Sequence, residues 1–210
     1  TRALIKELEE FPLENAAAVL SASPYYSKPS QEGIFEHYKA LAAASPVPVL
    51  LYNIPGRTGR NMSVETTLKL AREVENIQGI KEAAGDMMQF MQILKNAPED
   101  FLVVSGDDAV TVPLIACGLD GVISVAANAF PKEFSEMVRN ALNHNFVKAA
   151  ETNGNLLEAY DLMFAENNPA GIKAFLYELG IVKNHFRLPV VPVSENTHAK
   201  IRNYLQHITL

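Results

Sequence analysis

The sequence has 210 residues, 48% hydrophobic and 20% charged, enough apolar material for a buried core, which excludes disordered and fibrous classes. A formal net charge of −6 argues against a nucleic-acid or anionic-membrane surface, and the single cysteine, Cys117, excludes an intrachain disulfide and a cysteine-based zinc site. No apolar run reaches ~18 to 20 residues, and residues 1–10 alternate charged and apolar groups where a signal peptide would be apolar, so the expected setting is cytoplasmic. The expected partners are small molecules and other protein chains.

Residues 1–11 carry Leu4, Ile5, Leu8 and Phe11 at helical spacing with no capping residue before them, as in a helix already under way. Residues 17–23 form a short apolar strand closed by Pro24, and residues 25–30 a loop. Ser30 then caps a helix with Ile34, Tyr38 and Leu41 on one face. The unit repeats: residues 47–53 are a strand, residues 54–61 a Pro/Gly loop, and Ser63 caps a helix with Val64, Leu68, Ala71 and Val74 facing inward. Residues 77–81 are a third strand, after which Asp86 and Gln89 have the spacing of a capping box opening a helix through Leu94. A fourth strand over 101–105 leads through Asp107 and Asp108 to a helix ending near Gly118. A fifth, over 121–125, precedes Pro131 in the first turn of a helix through Leu142.

Apolar strands alternating with amphipathic helices predict a parallel sheet covered by helices. Five βα units fill residues 1–142, as a partial β/α barrel. Residues 143–210 read as a C-terminal helical region, with helices over 156–164, 170–179 and 194–205 and an extended strap over 188–193. A complete eight-fold barrel takes about 250 residues, so the length raises the question of how many units are present.

In parallel α/β folds the active site lies at the C-terminal ends of the strands. Tyr25, Tyr26, Tyr52, Arg57, Lys81, Asp107, Asp108 and Asn128 all fall there. Lys81 ends an apolar strand. Burial there would lower the pKa of its amine and yield the neutral nucleophile that attacks a ketone to form a Schiff base; the bland alternative is a lysine that snorkels or pairs with Glu82. Tyr52 ends the preceding strand, where a phenol can relay protons or simply pack in the core. Arg57 offers a planar fork for a carboxylate, or a loop salt bridge. Asp107 and Asp108 fit helix capping better than a metal site, the five histidines lack ligand spacing, and Cys117 reads as packing within an apolar helix. No metal is expected. Neither a dinucleotide fingerprint nor a P-loop occurs.

Five motifs stand in order, one strand apart: Ser23-Pro24-Tyr25-Tyr26-Ser27-Lys28-Pro29, Tyr52-Asn53-Ile54-Pro55-Gly56-Arg57-Thr58-Gly59, Gly79-Ile80-Lys81-Glu82-Ala83-Ala84-Gly85-Asp86, Ser105-Gly106-Asp107-Asp108 and Gly121-Val122-Ile123-Ser124-Val125. Together they resemble the dihydrodipicolinate synthase family, within the N-acetylneuraminate lyase superfamily of class I aldolases. The resemblance implies an α/β fold of the (β/α)8 TIM-barrel family with a C-terminal helical region, here lacking the first three βα units. It implies condensation of pyruvate with L-aspartate 4-semialdehyde on the route to lysine. Lys81 takes the role of Schiff-base lysine, Tyr52 of proton relay and Arg57 of aldehyde carboxylate binder, while Gly106 and Ile123 line the pyruvate pocket. Tyr26 corresponds to a relay tyrosine that reaches into a neighbouring subunit, and Tyr25 to an inhibitory lysine site. A homo-oligomer, dimer or tetramer, is therefore expected, and no cofactor beyond the covalent imine with Lys81. Sister aldolases that cleave N-acetylneuraminate or 2-keto-3-deoxy sugar acids generally lack the arginine at position 57. The remaining alternative is an inactive, N-terminally truncated homologue.

Overall fold

Short apolar strands cannot bury both faces alone, and in the computed structural model of the chain, which describes residues 1–208, five of them pair into one parallel sheet. Helix α1 (Arg2–Glu10) leads into β1 (Val19–Ala22), α2 (Gln31–Ala44), β2 (Val49–Asn53), the short α3 (Pro55–Thr58) and α4 (Val64–Glu73). Then follow β3 (Ile77–Glu82), α5 (Met87–Asn96), β4 (Leu102–Ser105), α6 (Thr111–Ala116) and β5 (Gly121–Val122). Strand order in the sheet is the order of the sequence, so each strand lies beside the next. Beyond β5 come a 3-10 turn (Ala126–Asn128), α7 (Pro131–Leu142), α8 (Phe146–Phe164), α9 (Ala170–Glu178) and α10 (Glu195–His207). Among the described residues no helix is long and apolar enough to cross a membrane.

The caps read from the sequence are in place. Ser30 Oγ accepts from the N–H of Gly33, Ser63 Oγ from that of Thr66, and Asp86 from those of Met88 and Gln89. Each satisfies a backbone donor that the first turn of a helix leaves without a partner. Ile34, Tyr38 and Leu41 of α2 are fully buried, and the Tyr38 hydroxyl donates to the Ser21 carbonyl at 2.7 Å.

By packing, the chain divides into two compact units. The first holds residues 1–107 and 117–123, with α1 to α5 and the whole sheet; the second holds residues 108–116 and those from 124 onward. Helix α7, which follows the fifth strand in sequence, belongs to the second, where the ring of Phe134 stands edge-on to Tyr160 of α8 with centroids 6.3 Å apart.

Some local expectations change. Residues 54–61 are not a plain loop, because Pro55 starts α3 and Gly59 closes it in the left-handed region at φ 74°. The buried face of α4 is Thr66, Thr67, Leu68 and Leu70, with Val64, Ala71 and Val74 only half-buried. Thr66 hides its polarity by donating its hydroxyl to Gln31 Oε1 at 2.7 Å. Gln89 does not close a capping box; its side chain turns to other partners, described below. The fifth strand stops at Val122 because Asp108 Oδ2 takes the N–H groups of Val125 at 3.1 Å and Ala126 at 2.9 Å, drawing that segment into the 3-10 turn. Helix α8 starts ten residues before the expected position 156, and Cys117 lies exposed just past α6 instead of packing within it. The strap over 188–193 has no regular hydrogen-bonded structure, though its last residue, Val193, is buried.

Candidate active site

Which side chains meet is decided by the pairing of β2 with β3. Val49 lies beside Ile77 but Leu50 beside Gly79, so Gln78 is left over as a bulge. From there Leu51 pairs with Ile80, Tyr52 with Lys81 and Asn53 with Glu82. Paired neighbours in a sheet project to the same face, so Tyr52 and Lys81 share one side while Asn53 and Glu82 share the other. The surplus residue therefore sets Lys81 opposite Ile77, although an unbroken strand would place residues four apart on one face.

Lys81 extends across its neighbour. Its Nζ stands 4.5 Å from the centroid of the Tyr52 ring, within reach of the negative face of the π system. Gly106, just past β4, leaves the space this requires: a Cβ at that position would lie 2.7 Å from Lys81 Cε and 2.8 Å from Ala83 Cβ. Lys81 and Tyr52 thus meet on one face of the sheet, with Gly106 beside the lysine. Burial pushes the Tyr52 phenol above its ordinary pKa, and the positive charge of Arg57 acts in the opposite sense. Arg57 itself is exposed on α3. Its charge is close enough to be felt at Tyr52.

Ile123 is 38% exposed and donates its backbone N–H to the Ser105 carbonyl at 2.9 Å, which continues the β4–β5 pairing by one residue and sets it beside Gly106. Tyr25 and Tyr26 follow β1 on a loop where they are 75% and 93% exposed, and Tyr26 holds φ 65°. With so little of it covered, Tyr26 is not packed into the site of its own chain. The loop is tied down by Arg60, whose Nη2 donates to the Lys28 carbonyl at 3.1 Å. Among the described residues no group of three or more His, Cys, Asp or Glu is placed to hold a metal ion.

Glu82 does not pair with Lys81, the alternative that the sequence offers, but plays another part. It faces away from Lys81's side of the strand and is fully buried. Its carboxylate accepts from Asn53 Nδ2 at 3.0 and 2.9 Å, from Gln89 Nε2 at 2.8 Å and from the Ala84 N–H at 2.7 Å. Burial raises its pKa, and these four donor contacts oppose the rise. A signal was available: if Tyr52 and Lys81 face the site, the next residues on their strands, Asn53 and Glu82, face the helices, and a polar group buried there must find partners.

The dihydrodipicolinate synthetase family profile matches residues 9–208. The 4-hydroxy-tetrahydrodipicolinate synthase of Phocaeicola vulgatus is 50% identical over 210 residues, covering 100% of this chain and 71% of the relative. Among solved structures, the dihydrodipicolinate synthase of Thermotoga maritima superposes with a TM-score of 0.93 at 38% identity, over 96% of this chain and 70% of that one. The chloride-inhibited dihydrodipicolinate synthase of Acinetobacter baumannii, complexed with pyruvate, matches with a TM-score of 0.93 at 38% identity, over 98% and 70% of the two chains.

Proposed function

The chain belongs to the dihydrodipicolinate synthetase family, and from that premise we infer its chemistry. It is a lyase that condenses pyruvate with L-aspartate 4-semialdehyde to give 4-hydroxy-tetrahydrodipicolinate, a step of lysine biosynthesis. The sister reading, cleavage of N-acetylneuraminate or of 2-keto-3-deoxy sugar acids, is not favoured, since the relatives are named as the synthase.

We propose that Lys81 is the nucleophile. Its amine adds to the ketone carbon of pyruvate, and loss of water leaves an imine whose nitrogen draws electrons from the methyl carbon. A methyl proton departs and the enamine carbon attacks the aldehyde. The product amine then closes the ring onto the imine carbon, and Lys81 leaves with its nitrogen intact. The imine is the electron sink, so this route calls on no metal or organic cofactor. Tyr52 moves protons to and from the reacting oxygens, a role that suits a phenol kept neutral by burial. Arg57 holds the aldehyde's carboxylate, and Gly106 and Ile123 flank the ketoacid. The observation that carries this reading is the Lys81 amine 4.5 Å above the Tyr52 ring, in a space that Gly106 leaves open.

The same proposal includes finer points. The five βα units are units of an eight-fold barrel, the chain works in the cytoplasm, and it assembles as a dimer or tetramer through the exposed Tyr25–Tyr26 loop. Tyr26 completes the proton relay of a neighbouring copy, and Tyr25 contributes to a lysine-binding site. Borohydride reduction with pyruvate followed by peptide mass spectrometry tests the central claim. A stable adduct on Lys81 is expected, lost in Lys81→Ala together with about 10³-fold or more of kcat. A folded protein without an adduct would favour the inactive-homologue reading, and labelling that persists in Lys81→Ala would refute the assignment.

A further inference from the structure

Directly after Lys81, on the other face of the same strand, lies the fully buried carboxylate of Glu82. Every group aimed at Glu82 is a donor: the Asn53 amide, the Gln89 amide and the Ala84 N–H. The amides are held in those orientations by further bonds. Asn53 Oδ1 accepts the Met62 N–H at 3.0 Å, Asn53 Nδ2 also reaches Asn61 Oδ1 at 2.7 Å, and Asn61 Nδ2 donates to Gln89 Oε1 at 2.8 Å. Only a group that accepts at both oxygens completes this ring, which is what an ionised carboxylate does and an amide does not. Burying such a charge is costly, and apolar filling would serve packing alone better.

What the ring connects explains the cost. Asn53 follows Tyr52 in β2, Asn61 and Met62 end the segment that carries Arg57, and Ala84 begins the turn after Lys81. Three stretches that bear or flank proposed site residues are thus tied to one side chain. We propose that Glu82 is a positioning residue for the condensation: by holding Asn53, Gln89 and the Ala84 N–H at once, it fixes the Arg57 segment relative to Lys81 and so sets where the aldehyde's carboxylate is held against the imine. This rests on the reading of Lys81 and Arg57 given above.

Glu82→Gln keeps size and shape but turns one acceptor into a donor facing donors. The intact protein carrying it is expected to form the borohydride-reduced pyruvate adduct at Lys81, with the KM for pyruvate within about twofold of the parent, while the KM for aspartate semialdehyde rises about tenfold and kcat falls about tenfold. Asn61→Ala, at an exposed position, removes the side-chain bonds from Asn53 and Gln89 to the Arg57 segment while those to Met62 remain, and should raise the aldehyde KM about three- to tenfold with pyruvate trapping unchanged. It decides the matter alone should Glu82→Gln fail to fold. If the variants lower the melting temperature but leave the aldehyde KM within about twofold, or if the change falls on pyruvate instead, Glu82 is only structural and the proposal is overturned. A parent protein that gives no adduct at Lys81 would overturn the nucleophile assignment and this proposal together, whereas an adduct with an unchanged aldehyde KM overturns this one alone.

Discussion

The two faces of the sheet in the first unit are built from the same strands to opposite specifications. On the helix side, Val49, Leu51 and Ile80 are fully buried, and so are Asn53, Glu82 and Ser105 among the polar residues. Ser105 Oγ donates to the Asp107 carbonyl at 2.8 Å and accepts the Asp107 N–H at 2.9 Å, while Asn53 and Glu82 share the ring described above. On the other side, Leu20 and Leu102 are about 40% exposed, and Tyr52 and Lys81 are half-buried. One face is close-packed with its polar groups satisfied, and the other leaves an amine and a phenol accessible. Rigidity and access are supplied to adjacent residues by strand alternation, so Lys81 can meet a small molecule while Glu82, one residue on, anchors the backbone beneath it.

If that contrast holds, truncation should cost far more on one side than on the other. Leu51→Ala removes a fully buried side chain and is expected to cost about 2–5 kcal/mol, whereas Leu20→Ala on the open face should cost about 1 kcal/mol or less. Urea denaturation measures both, and equal losses would show that the open face is covered in solution. Next in size, Gly106→Ala places a methyl group into Lys81 Cε and Ala83 Cβ, and is expected to slow trapping of pyruvate about 10- to 100-fold while the protein stays folded. Trapping at the parent rate would mean that Lys81 has another path into its site.

The smallest effect concerns the phenol on the accessible side. Burial holds the Tyr52 pKa above its ordinary value and the Arg57 charge pulls it back, so Arg57→Ala should move the titration further upward. Ultraviolet difference titration against Tyr52→Phe reads this, and a downward shift would remove Arg57 from the neighbourhood. The sign for stability follows: with the folded pKa raised, Tyr52 contributes stability that is fully present below about pH 10 and is lost as pH rises through its folded value. Tyr38, pushed up to about 12 by burial first of all, acts in the same direction on the helix side.

Much of this was legible in the residues. Strands 1 to 4 lie within two residues of their expected ends, and Ser30, Ser63 and Asp86 cap the helices they were expected to cap, because apolar runs and cap chemistry are local properties. Lys81 and Tyr52 stand out by their places at strand ends, and Gly106 by the family resemblance alone. Less visible were features that depend on a distant partner. The end of β5 is decided by the carboxylate of Asp108, and the buried face of α4 by Gln31, which hides a threonine hydroxyl. Neither bond has a signature in the residues around it.

The sequence by itself determined the alternation of strands and helices, the family and the residue types at the strand ends, since these follow from composition, spacing and motif order. Only the tertiary structure decided the side of the sheet to which each residue belongs. Counted along β3, Lys81 has the parity of Ile77 and would face the helices with it. The one-residue shift at Gln78 reverses that parity, and the reversal exists only because β2 pairs with Ile77 before the shift and with Gly79 after it. That pairing between strands puts the amine over Tyr52 and its acidic neighbour among donors.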